Sequence, residues 1–124
     1  MLFRRLYRMR NSILVEGGHP LSGDITVQGS KNAVLPILAA TFLIRGSSTL
    51  HNCPNIRDVD TTVAILEQLG AKVTRSGQTI TVDATNPVSC EIPDRLMSEL
   101  RSSVIFLGSI LSRTGEVHLS YPGG

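Results

Sequence analysis

The sequence predicts an α/β (α+β) fold in which antiparallel hairpins alternate with helices. Apolar residues make up 41% of the 124 residues and charged residues 18%, a composition typical of one folded domain. Glycine-containing turns separate short alternating segments from longer helical ones, in the order β-β-α-β-α-β-β-α-β. The hairpins between helices distinguish this order from the strict βαβ alternation of a doubly wound sheet.

The first predicted elements form an antiparallel hairpin. Its strands are Ser12–Gly17 and Gly23–Gly29, and the turn between them contains Pro20. Ser30 follows the second strand and is a good N-cap for a helix over Lys31–Ile44. Since this helix is almost wholly apolar after its first turn, we expect it to be buried on all sides.

A short strand, Ser47–Asn52, leads into the second predicted helix. Either Asp58 or Asp60 is expected to cap this helix, because aspartate accepts hydrogen bonds from free backbone amides at a helix start. The helix runs through Leu69, and Gly70 follows it at the position that favours a left-handed conformation.

The last third of the chain predicts a hairpin, a long helix and a strand. The hairpin joins Ala71–Arg75 to Thr79–Asp83 through a glycine turn. A continuous apolar pattern predicts one helix over Asp94–Arg113, capped by Asp94. A final strand covers Glu116–Tyr121, in which His118 should face away from its apolar neighbours.

The segment Gly29-Ser30-Lys31-Asn32 is the first candidate for chemistry. A helix N-terminus presents free amides and a positive dipole, so it attracts anions. Lysine is electrostatically unfavourable there unless an anion also occupies the site, which makes Lys31 and Asn32 candidates for binding a phosphate or carboxylate. The alternative is a solvated lysine beside a turn asparagine.

Arg101 is the second candidate, because its sequence context repeats that of Lys31. Lys31-Asn32-Ala33-Val34 and Arg101-Ser102-Ser103-Val104 each place a cation and two small or polar residues before an apolar helix that ends at a glycine. This similarity suggests a repeated supersecondary unit. Arg101 either extends to solvent along the apolar helix or points at a ligand.

Charge and cysteine content exclude several functions. The net charge of +2 comes from 12 Lys+Arg against 10 Asp+Glu, and four arginines lie in the first ten residues. The rest of the chain is therefore slightly acidic, which argues against binding nucleic acid. Cys53 and Cys90 lack a CxxC pattern or a histidine at ligand spacing, so we expect no zinc site, no other metal site and a reducing cytoplasmic location.

The first residues and the apolar runs bear on membrane association. No apolar run reaches about 18 residues, so no membrane-spanning helix is predicted. Residues 1–11 are a basic extension whose apolar and arginine residues interleave. This extension is either disordered or a short membrane-surface or transit-like segment, and we favour disorder and no membrane partner.

Three blocks of the sequence resemble the UDP-N-acetylglucosamine 1-carboxyvinyltransferase family. They are GDITVQGSKNAVLPILAATFL, NCPNIRDVDTTVAILEQLGAKV and LRSSVIFLGSILSRTGEVHLSYPGG. The resemblance implies the enolpyruvyl-transferase fold, an inside-out α/β barrel made of repeated βαβαββ units in two domains. Residues 12–29 would then belong to the other domain, and residues 30–124 would form the first repeat and part of the second.

The same resemblance implies an activity and a site. Family members transfer the enolpyruvyl group of phosphoenolpyruvate to the 3-hydroxyl of UDP-N-acetylglucosamine, the first committed step of peptidoglycan synthesis, without a metal or organic cofactor. Lys31 and Asn32 match the pair that contacts phosphoenolpyruvate, and Lys31 would also be catalytic. Arg101 matches an arginine that contacts the UDP-sugar.

The family also has a cysteine or aspartate directly after a Pro-Gly-Gly turn, and the cysteine form is the target of fosfomycin. This sequence stops at Gly124, and neither Cys53 nor Cys90 follows such a turn. We therefore expect the 124-residue chain to hold less than a third of the enzyme, to be inactive alone, and to self-associate through uncovered apolar surface.

Two other functions stay open from the sequence. One is the sister 3-phosphoshikimate 1-carboxyvinyltransferase, whose lysine is usually followed by serines and an arginine, whereas Lys31 is followed by NAVLP. The other is a non-catalytic module that binds anions.

Overall fold

The computed structural model describes residues 13–122, so the extension predicted over 1–11 lies outside the described residues. The elements in chain order are α1 (Lys31–Thr41), β1 (Ser47–Leu50), α2 (Arg57–Gln68), β2 (Lys72–Ser76), β3 (Thr79–Asp83), α3 (Asp94–Glu99), a 3-10 helix (Arg101–Ile105) and α4 (Phe106–Thr114).

The three strands form one antiparallel sheet in the order β1-β3-β2. Leu50 of β1 pairs with Ile80 of β3, and Val73 of β2 pairs with Val82. The predicted β2–β3 hairpin is confirmed, and Gly77 in its turn adopts a φ of 57°, which glycine tolerates best. Ile80 and Val82 alternate along β3 and are fully buried, so the central strand supplies one wall of the core.

Helix α2 lies at the centre of the helical layer and contacts α1, α3 and β2. Its amphipathic pattern buries one face, as predicted from the sequence. Gly70 has a φ of 100° directly after the C-cap residue Leu69, which confirms its predicted role in ending the helix. The fully buried large side chains are Phe42, Phe106, Leu38, Ile65, Leu66, Leu69, Ile80, Ile92, Met97, Ile110, Val59 and Val82.

The predicted hairpin at the start of the chain is not formed among the described residues. Residues 13–29 contain no strand, and nearly all of them are exposed. Strand pairing is a non-local interaction, and alternating apolar residues such as Ile25 and Val27 need a partner surface that residues 13–122 do not provide. The assignment of these residues to another domain stays a prediction.

Helix α1 is shorter and less buried than predicted. It ends at Thr41 instead of Ile44, and Ile37 is 51% exposed. The rest of the described chain covers only one side of this helix, so its other apolar side faces solvent. Large apolar side chains are also about half exposed beyond α1 and along the 3-10 helix and α4: Leu43, Ile44, Val104, Leu107 and Leu111.

The predicted helix over Asp94–Arg113 is broken in two. Leu100 has φ −136° and ψ 107°, an extended conformation that separates α3 from the 3-10 helix. The predicted Asp94 cap is also wrong, because Pro93 is the N-cap and Asp94 is the first helical residue. Leu100 is buried in the core although its backbone is extended, so the apolar pattern of the sequence continues across the break.

The strand predicted over Glu116–Tyr121 is reduced to one isolated parallel bridge, between Glu91 and His118. No longer segment lies beside this part of the chain among the described residues, so the ladder does not extend. Val117 and Leu119 nevertheless pack against the core while His118 is exposed, which confirms the predicted alternation.

Arg113 joins the far end of α4 to two other elements. Its guanidinium donates hydrogen bonds to the carbonyl oxygens of Leu43 (3.2 Å), Ala84 (2.7 Å) and Thr85 (3.1 Å). These carbonyls lie just after α1 and just after β3. One side chain therefore holds the ends of α1, β3 and α4 together.

No helix within residues 13–122 is long and apolar enough to cross a membrane.

Candidate functional site

The start of α1 is fixed by a close backbone approach. A Cβ on Gly29 would lie 2.0 Å from the carbonyl oxygen of Asn52, so only glycine fits at this position. Ser30 is the N-cap, as predicted, but its hydroxyl makes no capping hydrogen bond. Its carbonyl accepts the amides of Ala33 and Val34, which leaves the amides at the beginning of α1 without helical acceptors.

Lys31 forms an ion pair with Asp58, which lies in the first turn of α2. The predicted capping role of Asp58 and Asp60 is wrong, because Ile56 is the N-cap of α2 and makes no side-chain capping bond. Asp60 instead accepts a hydrogen bond of 2.7 Å from Arg75 Nη1. The two carboxylates thus neutralise two different cations, and the one beside Lys31 supplies the anion that a lysine at this position requires.

The break at Leu100 creates a second helix start. Arg101 is the first residue of the 3-10 helix, and its side chain has no ion-pair or hydrogen-bond partner within residues 13–122. Ser103 is fully buried, and its hydroxyl donates to the carbonyl of Met97 at 3.5 Å. Ser103 therefore satisfies a carbonyl near the end of α3, and this bond compensates for the interrupted helical ladder.

The two helix starts meet at one cavity of about 390 Å³. Residues of α1, α2 and the 3-10 helix line it: Lys31, Asn32, Leu35, Pro36, Asp58, Leu100, Arg101, Ser102 and Ile105. All three residues singled out from the sequence, Lys31, Asn32 and Arg101, thus face the same space. Two cations and one carboxylate give this space a net positive charge, which suits an anionic ligand.

Pro36 lines the same cavity. Proline has no N–H, so the carbonyl of Asn32 lacks the helical donor that it would otherwise have. Because Asn32 lines the cavity, its side-chain amide is available for neutral polar groups of a ligand.

Sequence reasoning missed Asp58 as part of this site. The signal was present, because two aspartates flank Val59 and one cap would need only one of them. A lysine at the start of one helix and an aspartate in the first turn of another form a pair only when the helices pack together, and α1 does pack against α2.

A second group of polar side chains meets away from this cavity. One ligand atom from each of Cys90, Glu116 and His118 lies within 4.8 Å of the others. The sequence argument against metal ligands considered spacing along the chain and missed this grouping. His51 contacts the hydroxyl of Thr79 at 3.2 Å and does not belong to it.

Within residues 13–122, three groups have pKa values displaced from their ordinary range. Burial raises the pKa of the Cys53 thiol, against a smaller opposing effect of Arg75. Desolvation raises the pKa of Cys90, and the hydrogen bond to Glu116 raises it further. Two hydrogen bonds from Thr85 lower the pKa of Asp83.

The fold is that of an enolpyruvyl transferase. Superposition on the enolpyruvyl transferase NikO from Streptomyces tendae gives a TM-score of 0.72 at 30% sequence identity, over 80% of this chain and 23% of that one. The family model for EPSP synthase (3-phosphoshikimate 1-carboxyvinyltransferase) matches residues 15–124. The chain therefore belongs to the EPSP synthase family.

Several curated relatives are named UDP-N-acetylglucosamine 1-carboxyvinyltransferase. UDP-N-acetylglucosamine 1-carboxyvinyltransferase 2 of Caldanaerobacter subterraneus subsp. tengcongensis is 47% identical over 110 residues, which are 89% of this chain and 26% of that protein. The UDP-N-acetylglucosamine 1-carboxyvinyltransferase of Desulfatibacillum aliphaticivorans is 45% identical over 114 residues, 92% of this chain and 27% of that protein. The chain spans about a quarter of the length of the curated relatives that it matches.

Proposed function

We propose that this chain supplies substrate-binding residues of a UDP-N-acetylglucosamine 1-carboxyvinyltransferase. The complete enzyme would transfer the enolpyruvyl group of phosphoenolpyruvate to UDP-N-acetylglucosamine in cytoplasmic peptidoglycan synthesis. The observation that carries the proposal is the convergence of Lys31, Asn32 and Arg101 on one cavity. The names of the curated relatives support the choice of substrates.

In this proposal Lys31 binds the phosphate or carboxylate of phosphoenolpyruvate. The Lys31 side chain is 54% exposed and lines the cavity, so the ligand has only to compete with the partly exposed pair to Asp58. A fixed cation at this point stabilises negative charge that develops on the transferred group, which is the catalytic role proposed for Lys31. Asn32 orients the same substrate through its side-chain amide.

Arg101 binds the diphosphate of UDP-N-acetylglucosamine in this scheme. An unpaired guanidinium can form two parallel hydrogen bonds to phosphate oxygens, whereas a lysine offers a single point of charge. Holding both substrates in one cavity places the acceptor hydroxyl beside the enolpyruvyl carbon and removes the entropic cost of bringing them together.

Calorimetric titration of the chain with each substrate tests the assignment. Lys31→Ala should weaken phosphoenolpyruvate binding by about tenfold or more, since a charge-assisted hydrogen bond contributes about 1.5–3 kcal/mol. Lys72→Ala, which removes an exposed lysine from β2, is the matched control and should bind like the parent chain. Equal affinity for Lys31→Ala and the parent would overturn the assignment.

The name of the family model indicates shikimate 3-phosphate as an alternative substrate. A 3-phosphoshikimate 1-carboxyvinyltransferase would bind shikimate 3-phosphate at this cavity instead of a UDP-sugar. The apolar continuation NAVLP after Lys31 favours the UDP-sugar enzyme, because the sister family usually has serines there. Preferential binding of shikimate 3-phosphate over UDP-N-acetylglucosamine in the same titration would reverse this choice.

The chain alone is expected to bind substrates without turning them over, because it covers about a quarter of its relatives' length. Phosphate release in the presence of both substrates would contradict this expectation. The chain is also expected to self-associate through half-exposed apolar side chains such as Ile37, Val104 and Leu107. A monodisperse monomer in light scattering with a sharp thermal transition would contradict self-association.

A further inference from the structure

The group formed by Cys90, Glu116 and His118 has no role in the proposed transfer reaction. None of the three side chains lines the cavity that holds Lys31 and Arg101. Their ligand atoms nevertheless lie within 4.8 Å of one another, and Cys90 Sγ donates a hydrogen bond to Glu116 Oε1 at 3.5 Å. A thiol, a carboxylate and an imidazole are three of the side chains that bind zinc in proteins.

The backbone holds these three residues on adjacent extended segments. His118 N–H donates to the Cys90 carbonyl at 2.9 Å, and Ile92 N–H donates to the His118 carbonyl at 3.2 Å. The hydroxyl of Thr114 donates to the carbonyl of Glu116 at 2.6 Å. The main chain of every ligand residue is therefore held by at least one hydrogen bond.

The strand-like alternation explains why Glu116 and His118 share a face. Side chains two residues apart on an extended segment point to the same side. Val117 and Leu119, at the alternate positions, pack against the core and prevent the segment from turning over. Cys90 faces Glu116 from the neighbouring segment, which completes a set of three ligands from two parts of the chain.

The distance between the sulfur and the carboxylate oxygen fits a tetrahedral ion. With Zn–S near 2.3 Å and Zn–O near 2.0 Å, a tetrahedral site places sulfur and oxygen about 3.5 Å apart. The distance from Cys90 Sγ to Glu116 Oε1 already has this value. His118 and Glu116 are exposed, so solvent can supply water as a fourth ligand.

We propose that Cys90, Glu116 and His118 bind one Zn²⁺ or a similar borderline divalent cation, with water at the fourth position. The thiolate excludes Mg²⁺ and Ca²⁺, which prefer oxygen ligands. The ion would crosslink the segment around Cys90 to the segment that precedes Pro122, independently of the proposed transfer reaction.

Zinc binding must release the thiol proton. In the metal-free chain the groups facing Cys90 are acidic: Glu116 accepts its hydrogen bond, and the Glu91 carboxylate is also nearby. Their negative charge raises the pKa of the thiol, and burial raises it more. A divalent cation reverses this balance, because it replaces the proton as the positive partner of both Glu116 and the sulfur. One proton per ion then goes to the buffer.

Cobalt(II) titration of the 124-residue chain is the direct test. A tetrahedral site with one thiolate should give intense visible d–d bands and a near-ultraviolet sulfur-to-cobalt charge-transfer band, both lost when Zn²⁺ is added. Cys90→Ser should remove the charge-transfer band, and His118→Gln should weaken binding by about tenfold or more. His51→Gln and Glu67→Gln remove an exposed histidine and an exposed glutamate elsewhere, and they should leave the spectrum unchanged.

Three results would overturn the proposal. One is a cobalt spectrum without a sulfur band. Another is equal affinity in His118→Gln and in the His51→Gln control. The third is a spectrum that Cys53→Ala abolishes and Cys90→Ser preserves, which would assign the metal to the other thiol. Circular dichroism of each variant verifies that it is folded, and two independent ligand variants keep the test decisive if one of them fails to fold.

Discussion

The two helix starts that face the cavity have similar sequences and different structures. Lys31 begins a regular α-helix after a glycine pressed against Asn52, and its charge is compensated by Asp58. Arg101 begins a 3-10 helix after the buried, extended Leu100, and its charge has no partner within residues 13–122. The comparison shows that one repeated pattern can yield one neutralised cation and one available cation, depending on which element packs beside it.

The largest expected effect comes from replacing Gly29, which precedes the N-cap of α1. In Gly29→Ala, the new methyl would lie 2.0 Å from the Asn52 carbonyl oxygen, so either α1 or the segment between β1 and α2 must move. We expect a loss of about 2–3 kcal/mol in the free energy of unfolding, measured by urea denaturation. Gly108→Ala is the control, because nothing lies within 4 Å of its added methyl and alanine favours a helix.

Removal of the available cation is expected to have the next largest effect. Arg101→Ala should weaken UDP-N-acetylglucosamine binding by about tenfold, because charge-assisted hydrogen bonds to a diphosphate would be lost. Arg95→Ala removes an exposed arginine of α3 that pairs with Glu99 outside the cavity, and it should have no effect. Equal binding of the sugar nucleotide by both variants would mean that Arg101 does not bind its diphosphate.

Removing the carboxylate that neutralises Lys31 should have the opposite sign. Asp58→Asn would free the ammonium and raise the affinity for inorganic phosphate by about two- to fivefold, since exposed ion pairs contribute up to about 1 kcal/mol. Asp60→Asn is the matched control, because Asp60 pairs with Arg75 instead. Weaker phosphate binding in Asp58→Asn would mean that the carboxylate positions Lys31 and does not compete with the ligand.

The smallest expected effect comes from Asp83, at the end of β3. Asp83 accepts two hydrogen bonds from Thr85, at 3.0 Å from its amide and 2.5 Å from its hydroxyl, and the same turn presents carbonyls to Arg113. Because the folded-state pKa of Asp83 is lowered, its contribution is present above the unfolded pKa near 3.9 and is lost as the pH falls through the folded value.

Asp83→Asn is therefore expected to be less stable than the parent at neutral pH, and the difference should shrink below about pH 4. Denaturant midpoints measured across the acid range provide the test. Thr85→Val, which removes only the hydroxyl donor, should show a smaller change of the same kind. A stability difference that is the same at pH 7 and at pH 3 would contradict the assignment of the two hydrogen bonds to the charged carboxylate.

Local signals explain what could be predicted from the sequence. Gly70 and Gly77 each require a positive φ, so the end of α2 and the β2–β3 turn were predicted from single residues. The similar contexts of Lys31 and Arg101 predicted a repeated supersecondary unit, and the structure places both residues at one cavity. These features depend on residues that are close in the chain or that repeat a pattern.

The missed features depend on contacts between distant residues. Leu100 is buried in an extended conformation, so the apolar pattern continues although the helix does not. Asp58 pairs with Lys31 because α1 packs on α2. Cys90 meets His118 through a parallel bridge that neither segment indicates alone. Among these, the pair of aspartates around Val59 carried a sequence signal, because one helix cap needs only one of them.

Because the chain breaks at Leu100, α4 continues from a 3-10 helix and not from α3. Arg113 fixes the far end of α4 to Leu43, Ala84 and Thr85, whereas the near end begins at a 3-10 turn. A 3-10 helix rises about 2.0 Å per residue and an α-helix about 1.5 Å. The five residues Arg101–Ile105 therefore span about 2.5 Å more than they would as an α-helix, and the break places the Arg101 backbone that much further from the start of α4.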